Sequence, residues 1–364
     1  MIVQSAYIDF LKYSLEGNLP LPKSAKEIDW RLMMLWAKKQ AIVGIIYGGI
    51  LNVGRSLDIP FNILMEWIGY TQQIEIRNRQ INKKIGEVCN QYIRDGFRNC
   101  ILKGQGVALY YPNPLLRTPG DIDIWLEGGR DKVMEYVTEK YGNLLERYHH
   151  VELEMENDIE VEIHFTPSYM HSPFSNKRLQ EWFHNQKEEQ FRNLVELEDC
   201  ETKVAVPTKE FNTVYLLEHI YRHLFSEGIG LRQVIDYYYL LRSSTKLEIR
   251  KEKLEMTLKS LGLWKFSGAL MWVLHEQFGL KKDYLIAEPN AREGKFLWNE
   301  IMIGGNFGQY DMRLRAHQNE GFLRRNVRMA VRNMRFVKHY PEEALSEPVF
   351  RIGHYLWRKK NGLK

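Results

Sequence analysis

The sequence predicts an α+β protein in which a compact strand-and-helix unit sits between an N-terminal and a C-terminal helical region. Three observations predict it. Apolar residues keep a helical period over much of residues 1–97, and again beyond 207. Two-residue alternation, which is the mark of a strand, runs through "DIDIWL" (121–126) and "IEVEIHF" (159–165). Between them, prolines and glycines punctuate the chain at "PNPLLRTPG" (112–120) and at Gly128, Gly129 and Gly142.

Each element follows in order. Ile28, Leu32, Leu35 and Trp36 set one helix, a second run continues to residue 53, and Asp58-Ile59-Pro60 breaks the chain. A long helix is expected over 61–95, with Gly96 as its C-cap. "CILKG" (100–104) reads as a short strand, "QGVALYY" as one or two helical turns, and "DIDIWLEGG" as a strand stopped by glycine. Val133, Tyr136, Val137 and Lys140 make a helix ending at Gly142, and two strands joined by a turn around residue 157 follow. The alternation of strands and helices defines an α/β unit of roughly 100 residues. Thr208 is an N-cap for the next helix, and further helices fill 250–302. "IGGNFG" (303–308) reads as a loop. Leu323, Val327, Ala330, Met334 and Val337 set the apolar face of a late helix that Pro341 ends. The expected domains are residues 1–97, 98–206 and 207–364.

At 364 residues the chain suits two or three domains, and its 44% apolar and 27% charged residues are those of an ordinary globular protein. A net charge of +5 permits a phosphate-rich substrate. Cys89, Cys100 and Cys200 are scattered and odd in number, which fits a reducing cytoplasm better than a disulfide scaffold. Charges within the first twenty residues exclude a signal peptide or membrane span there. The longest uncharged run, "QAIVGIIYGGILNVG" (40–54), is too short to cross a bilayer and reads as a buried helix.

The candidate chemistry lies on the strands. Alternation puts Asp121 and Asp123 on one face and Ile122, Ile124 and Leu126 on the other. Parallel carboxylates repel unless they lie in water or hold a cation. On the later strand Glu160, Glu162 and His164 share a face, so a third carboxylate can join the pair. Converging hard oxygens suit Mg²⁺, and metal ions so held serve in-line displacement at phosphorus. Lys103, at a strand end, can reach a phosphate or pair with a carboxylate. Arg117 is either a bidentate phosphate clamp or a plain surface arginine. His164 can orient a carboxylate, accept a proton or serve structure alone.

"LKG" (102–104), then "R…GDIDIWL" and "VEIHF", resemble the uncharacterised bacterial nucleotidyltransferases of the polymerase-beta superfamily. "HIYRHLFSEGIGLRQVIDYYYLL" is similar to the helical segment that follows the catalytic unit there, and the resemblance covers nearly the whole chain. It implies a small mixed sheet with helices packed on it. It also implies transfer of a nucleoside monophosphate from an NTP, with two Mg²⁺ ions or Mn²⁺ in their place. By that resemblance Asp121 and Asp123 take the metal pair, and Glu162, rather than Glu160, takes the third carboxylate. Gly104 takes the glycine that admits the phosphates to backbone N–H groups, and Lys103, Gln105 and Arg117 stand with it as nucleotide-binding residues. The chain departs from the pattern at Gly104-Gln105, where Gly-Ser or Gly-Gly is usual, and in its long interval to Asp121.

Rival readings stand beside this one. A catalytically inactive nucleotide- or RNA-binding protein would share the fold. A metal phosphohydrolase on the helical half needs a His-Asp doublet, which the chain lacks. His219 and His223 have metal-like spacing, but packing or hydrogen bonding is the preferred reading. Arg232 and Asp236, at i and i+4, read as an internal helix pair. Arg324, Arg325, Arg328, Arg332 and Arg335 form a basic stripe, either a solvated or ion-paired face or an electrostatic footprint for nucleic acid or a triphosphate. The acceptor is an unidentified hydroxyl, on RNA or a small molecule. With only the Asp121 repulsion in view, Asp123→Asn should hold or raise the melting temperature of the unliganded protein.

Overall fold

The computed structural model describes residues 5–142, 144–155, 158–243, 251–314 and 322–360. Helices α1 (Ser5–Glu16), α2 (Trp30–Gln40), α3 (Val43–Val53) and α4 (Phe61–Arg94) come first. Asp29 caps α2 by accepting from the N–H groups of Arg31 and Leu32. The sheet unit follows: β1 (Asn99–Leu102), α5 (Gly104–Ala108), β2 (Ile122–Leu126), α6 (Gly129–Tyr141), β3 (Leu145–Glu146), β4 (His150–Met155) and β5 (Ile159–His164).

These strands form a five-stranded sheet in the order β1-β2-β5-β4-β3. The β2–β5 pair is parallel and the others antiparallel, so the sheet is mixed. Its back face is apolar. Ile122, Ile124 and Leu126 of β2 and Val161 and Ile163 of β5 pack in one core with Ile81, Ile85 and Tyr92 of α4 and Val133 and Val137 of α6. Full burial of each such side chain is worth about 1.5–3 kcal/mol, which fixes which face of β2 and β5 is left for polar work. Asn78 of α4 donates to the carbonyls of Leu115 (2.6 Å) and Arg117 (2.9 Å), tying down the loop that leads into β2.

Helix α7 (Pro173–Gln190) and a small ribbon of β6 (Leu194–Val195) and β7 (Val204–Ala205) lead out of the sheet. Then come α8 (Lys209–Ser226), α9 (Leu231–Arg242), α10 (Lys251–Ser260), α11 (Trp264–Trp272), α12 (Ala291–Gly304), α13 (Phe322–Met334) and α14 (Pro341–Lys360). Thr208 accepts from the Phe211 N–H and starts α8, as expected. Every residue of α8 from Phe211 to Phe225 is buried, so polar side chains on it face protein or an internal cleft. Among the described residues no helix is long and apolar enough to cross a membrane.

Two readings of the late chain need correction. The helix expected to run to Pro341 stops at Met334, and Pro341 opens α14. The apolar face of α13 is not its inner face: Val327 and Met334 are 62% and 69% exposed, while Arg332 and Asn333 are buried. The reason is hydrogen bonding. Arg332 donates to the carbonyls of Phe225 (2.8 Å) and Leu224 (3.1 Å) at the end of α8, and Arg335 donates to Glu300 (2.6 Å). The basic stripe is thus partly internal. The side chains of Leu323 and Arg325 lie outside the described residues.

Candidate active site

The cleft lies between the polar face of the sheet and helices α8 and α9, with a volume of about 280 Å³. Its floor is built from three neighbouring strands. Register places Asp123 beside Leu102 of β1 and beside Glu162 of β5. Glu160 is opposite Glu154 and exposed, so Glu162 is the acidic residue of β5 that lines the cleft. Asp121 lines the same cleft from the exposed end of β2.

The carboxylates are organised by two donors from the protein, Lys103 and His164. Lys103 Nζ donates to Asp123 Oδ1 at 2.7 Å. Its backbone sits at φ 50°, ψ −138°, a conformation L-residues rarely adopt, and Gly104 follows at φ 39°. This strained turn swings the ammonium from the end of β1 over the floor. His164 Nε2 lies 2.9 Å from Asp123 Oδ1 and 3.2 Å from Glu162 Oε2, so that nitrogen carries the proton and donates to both. Burial disfavours the Asp123 anion, but Lys103 and His164 outweigh it and hold its carboxyl far below the usual range. Burial pushes Glu162 the other way, up to about 7, with repulsion from Asp123 and Asp121 opposing the bond from His164. Burial also acts against the His164 imidazolium, yet its two carboxylate bonds raise its pKa.

Behind His164 stand two more buried histidines, and all three offer ligand atoms within 4.8 Å of one another. Burial, then repulsion from His164, brings His150 down to about 2; burial and Arg222 also lower His149. Both are neutral imidazoles. Their rings pack against His164 at 5.0 Å between centroids.

The donor set fits a divalent cation. Asp123 and Glu162 lie in one cluster with His164, within 4.8 Å of one another, and supply the carboxylate oxygens while the His164 N–H orients them; Asp121 adds a carboxylate to the same cleft. Hard oxygens suit Mg²⁺, and a nearby imidazole widens the choice to Mn²⁺. Lys103 already marks the cationic position over Asp123. This pairing corrects the stability expectation for Asp123. The residue is 3% exposed and held by protein donors, so removing its charge strands a buried ammonium rather than relieving repulsion.

The other expected nucleotide-binding residues divide. Lys103, Gly104 and Arg117 line the cleft. Arg117 is neither a surface arginine nor a free clamp. It is 5% exposed and forms a fork with Asp236, Nε to Oδ1 at 2.7 Å and Nη2 to Oδ2 at 2.8 Å. Asp236 therefore takes Arg117 rather than Arg232, with Tyr111 Oη donating to it at 2.7 Å. The Gln105 side chain turns away from the cleft. Its Nε2 donates to Asn78 (3.2 Å) and Asn82 (2.7 Å) of α4, leaving only backbone in this stretch to meet a ligand.

Helices α8 and α9 complete the cleft with residues the sequence reading assigned to packing or passed over. His219, Arg222 and His223 lie at i, i+3 and i+4 on α8; Arg232 and Gln233 open α9; Phe307 also lines the cleft. Burial lowers both His219 and His223. The sequence of α8 carries polar residues at several positions, so His219, Arg222 and His223 do not stand out from it.

A mixed sheet that gathers carboxylates on one face, backed by helices and roofed by a helical region, defines a nucleotidyltransferase-like protein. The chain belongs to that class by sequence as well: residues 26–279 match a family described as uncharacterised nucleotidyltransferases, and the chain is a member of it. A crystal structure of an antigenic nucleotidyltransferase-like protein from Paracoccidioides brasiliensis is similar at 12% identity. It covers 56% of this chain and 93% of its own, with a TM-score of 0.30. A comparison with curated proteins gave no match.

Proposed function

We propose that this protein is a Mg²⁺-dependent nucleotidyltransferase that moves a nucleoside monophosphate from an NTP to a hydroxyl on a small molecule or an RNA. The observation that carries the reading is the convergence of Asp123, Glu162 and His164 under Lys103, with Asp121 at the mouth of the same cleft. Family membership supports the reaction class.

Asp121, Asp123 and Glu162 would hold the divalent ions, which when bound neutralise phosphate charge and acidify the acceptor hydroxyl. His164 orients two of these carboxylates through one N–H and keeps them from turning away. Backbone N–H groups at the Lys103-Gly104 turn are offered to phosphate oxygens, and the Lys103 ammonium adds a charge beside them. The acceptor oxygen bonds to the α-phosphorus as the bond to pyrophosphate breaks, and the hydroxyl proton passes to a cleft carboxylate.

The reading of a non-catalytic nucleotide- or RNA-binding protein is favoured by one observation: the Lys103–Asp123 pair balances charge on the floor without an added ion. One experiment decides. The purified protein is incubated in a cell extract with Mg²⁺ and each of the four NTPs labelled at the α-phosphate. Label transferred to an acceptor, and lost on chelation, supports transfer. Bound but untransferred label with every NTP supports the binding protein.

A further inference from the structure

The floor of the cleft supplies anions, and a triphosphate is itself an anion. Lys103 is already paired with Asp123, and Arg117 with Asp236. The cations left to meet a triphosphate stand on the opposite wall. Arg222 of α8 and Arg232 of α9 line the cleft and are 8% and 7% exposed. Among the described residues neither forms an ion pair with a carboxylate. Arg222 Nη2 lies 3.3 Å from His219 Nδ1, and its guanidinium sits 4.9 Å above the Tyr169 ring. Arg232 Nη1 donates to the carbonyls of Thr118 (3.2 Å) and Pro119 (3.3 Å), three and two residues before Asp121. The buried Nε of each arginine has no partner among the described residues.

A guanidinium buried without a counter-anion is costly, because the partial bonds to carbonyls and rings return less than the water it lost. Arg117, which repels Arg232 in the same cleft, shows how this fold pairs an arginine meant for structure: with a forked carboxylate. Arg232 has no such partner, and burial lowers its pKa. Burial also acts against Arg222, but attraction to Tyr169, Glu218 and Glu227 outweighs it; even so, no carboxylate among the described residues reaches Arg222 at ion-pair distance. Two guanidiniums without a close carboxylate, in the cleft that also holds the floor carboxylates, point to a ligand that is anionic at one end and metal-bound at the other.

The backbone near Arg232 tells the same story. Phe307 sits at φ 48°, ψ 33°, a left-handed conformation that costs a bulky residue about 1 kcal/mol or more. A seam of glycines holds it there. A Cβ on Gly230 would lie 2.7 Å from Asn306 Cα, and one on Gly228 would lie 2.9 Å from Gly308 Cα. So seated, the Phe307 ring lies 5.2 Å from the Arg232 guanidinium and stiffens its plane.

Resting on the nucleotidyl-transfer reading, we propose that Arg222 and Arg232 form the clamp for the polyphosphate tail of the incoming NTP, with Phe307 positioning Arg232. Guanidiniums are suited to this because their fork matches phosphate oxygens.

The test is calorimetric titration of the full chain with Mg²⁺-tripolyphosphate and with Mg²⁺-ATP, for wild type, R222M and R232M, alongside melting of each unliganded protein. Each substitution should weaken both ligands about tenfold or more. Each also removes contacts within the protein, the Arg232 bonds to Thr118 and Pro119 and the attraction of Arg222 to Glu218 and Glu227, so melting is measured to separate lost stability from lost affinity. Wild type binding both ligands, with the variants within about twofold of it, would overturn the clamp and leave the transferase reading standing. Wild type binding neither would remove the transferase reading and the clamp together. If either Met variant melts early, R222Q and R232Q carry the test, and wild-type affinity in those overturns the clamp.

Discussion

The floor and the wall of the cleft solve opposite problems. On the floor, Asp123 and Glu162 come from adjacent strands and are held from within by Lys103 and His164. On the wall, Arg222 and Arg232 come from two buried helices, and no carboxylate among the described residues pairs with either. The floor has its cation at ion-pair distance, whereas the wall arginines have no carboxylate that close among the described residues. Changes to the floor should therefore cost more stability than changes to the wall, whose larger cost should fall on binding.

The largest expected effect is on the floor. Asp123→Asn should reduce nucleotide transfer at least about 100-fold, because an anionic ligand is lost where phosphate charge must be balanced. It should also lower the melting temperature, since Lys103 and His164 lose the anion between them. An unchanged melting temperature would mean the ion pair adds nothing to the fold, and the contrast with the wall would vanish.

A paired arginine sharpens the same contrast. Arg117→Met strands Asp236, so denaturant unfolding should show a loss of about 3–5 kcal/mol. Replacing both residues with apolar ones should recover most of that. If Arg117→Met costs no more stability than Arg232→Met, pairing is not what separates these two arginines.

A smaller effect follows from protonation. The Glu162 carboxyl is raised to about 7 from an ordinary 4.5. Its protonated form is favoured in the unliganded fold, so it contributes stability below the ordinary value that is lost as pH rises through 7. A cation needs the ionised form, so Mg²⁺ binding should release a proton and tighten between about pH 6 and 8. Titrations in two buffers of different ionisation enthalpy measure the release. Asp123, already ionised, should contribute none.

The smallest effect is expected at Arg324, which is exposed on α13. Arg324→Ala should leave tripolyphosphate affinity and melting temperature unchanged. A loss of binding would make the α13 stripe part of the phosphate surface and extend the wall beyond α8 and α9.

What could be read from the sequence follows the same division. The alternation in "DIDIWL" and "IEVEIHF" fixes which residues share a face, because a strand has only two faces, and the back core of Ile122, Ile124 and Ile163 follows from it. Register is not contained in alternation. The choice between Glu162 and Glu160 needed the β2–β5 pairing, which sets Glu162 beside Asp123. Helix spacing misleads where partners come from afar: Asp236 is one turn from Arg232 yet forks with Arg117, which lies 119 residues away in sequence. The apolar residues of α13 look like a core face, but Arg332 finds carbonyls at the end of α8 and turns the helix over. His219 and His223 resemble packing residues because nothing local reveals that their helix borders a cleft.

The central claim is that floor and wall act on one ligand, a metal-bound nucleoside triphosphate. Its most direct test is calorimetric titration of the wild-type chain with ATP, GTP, CTP and UTP, each with Mg²⁺ and again in EDTA. Saturable binding of at least one NTP with Mg²⁺ should be weakened about tenfold or more by chelation, because the floor carboxylates then face phosphate unscreened. Equal affinity in EDTA would leave the arginine wall as the whole phosphate site. Asp121, Asp123 and Glu162 would then have no ion to hold.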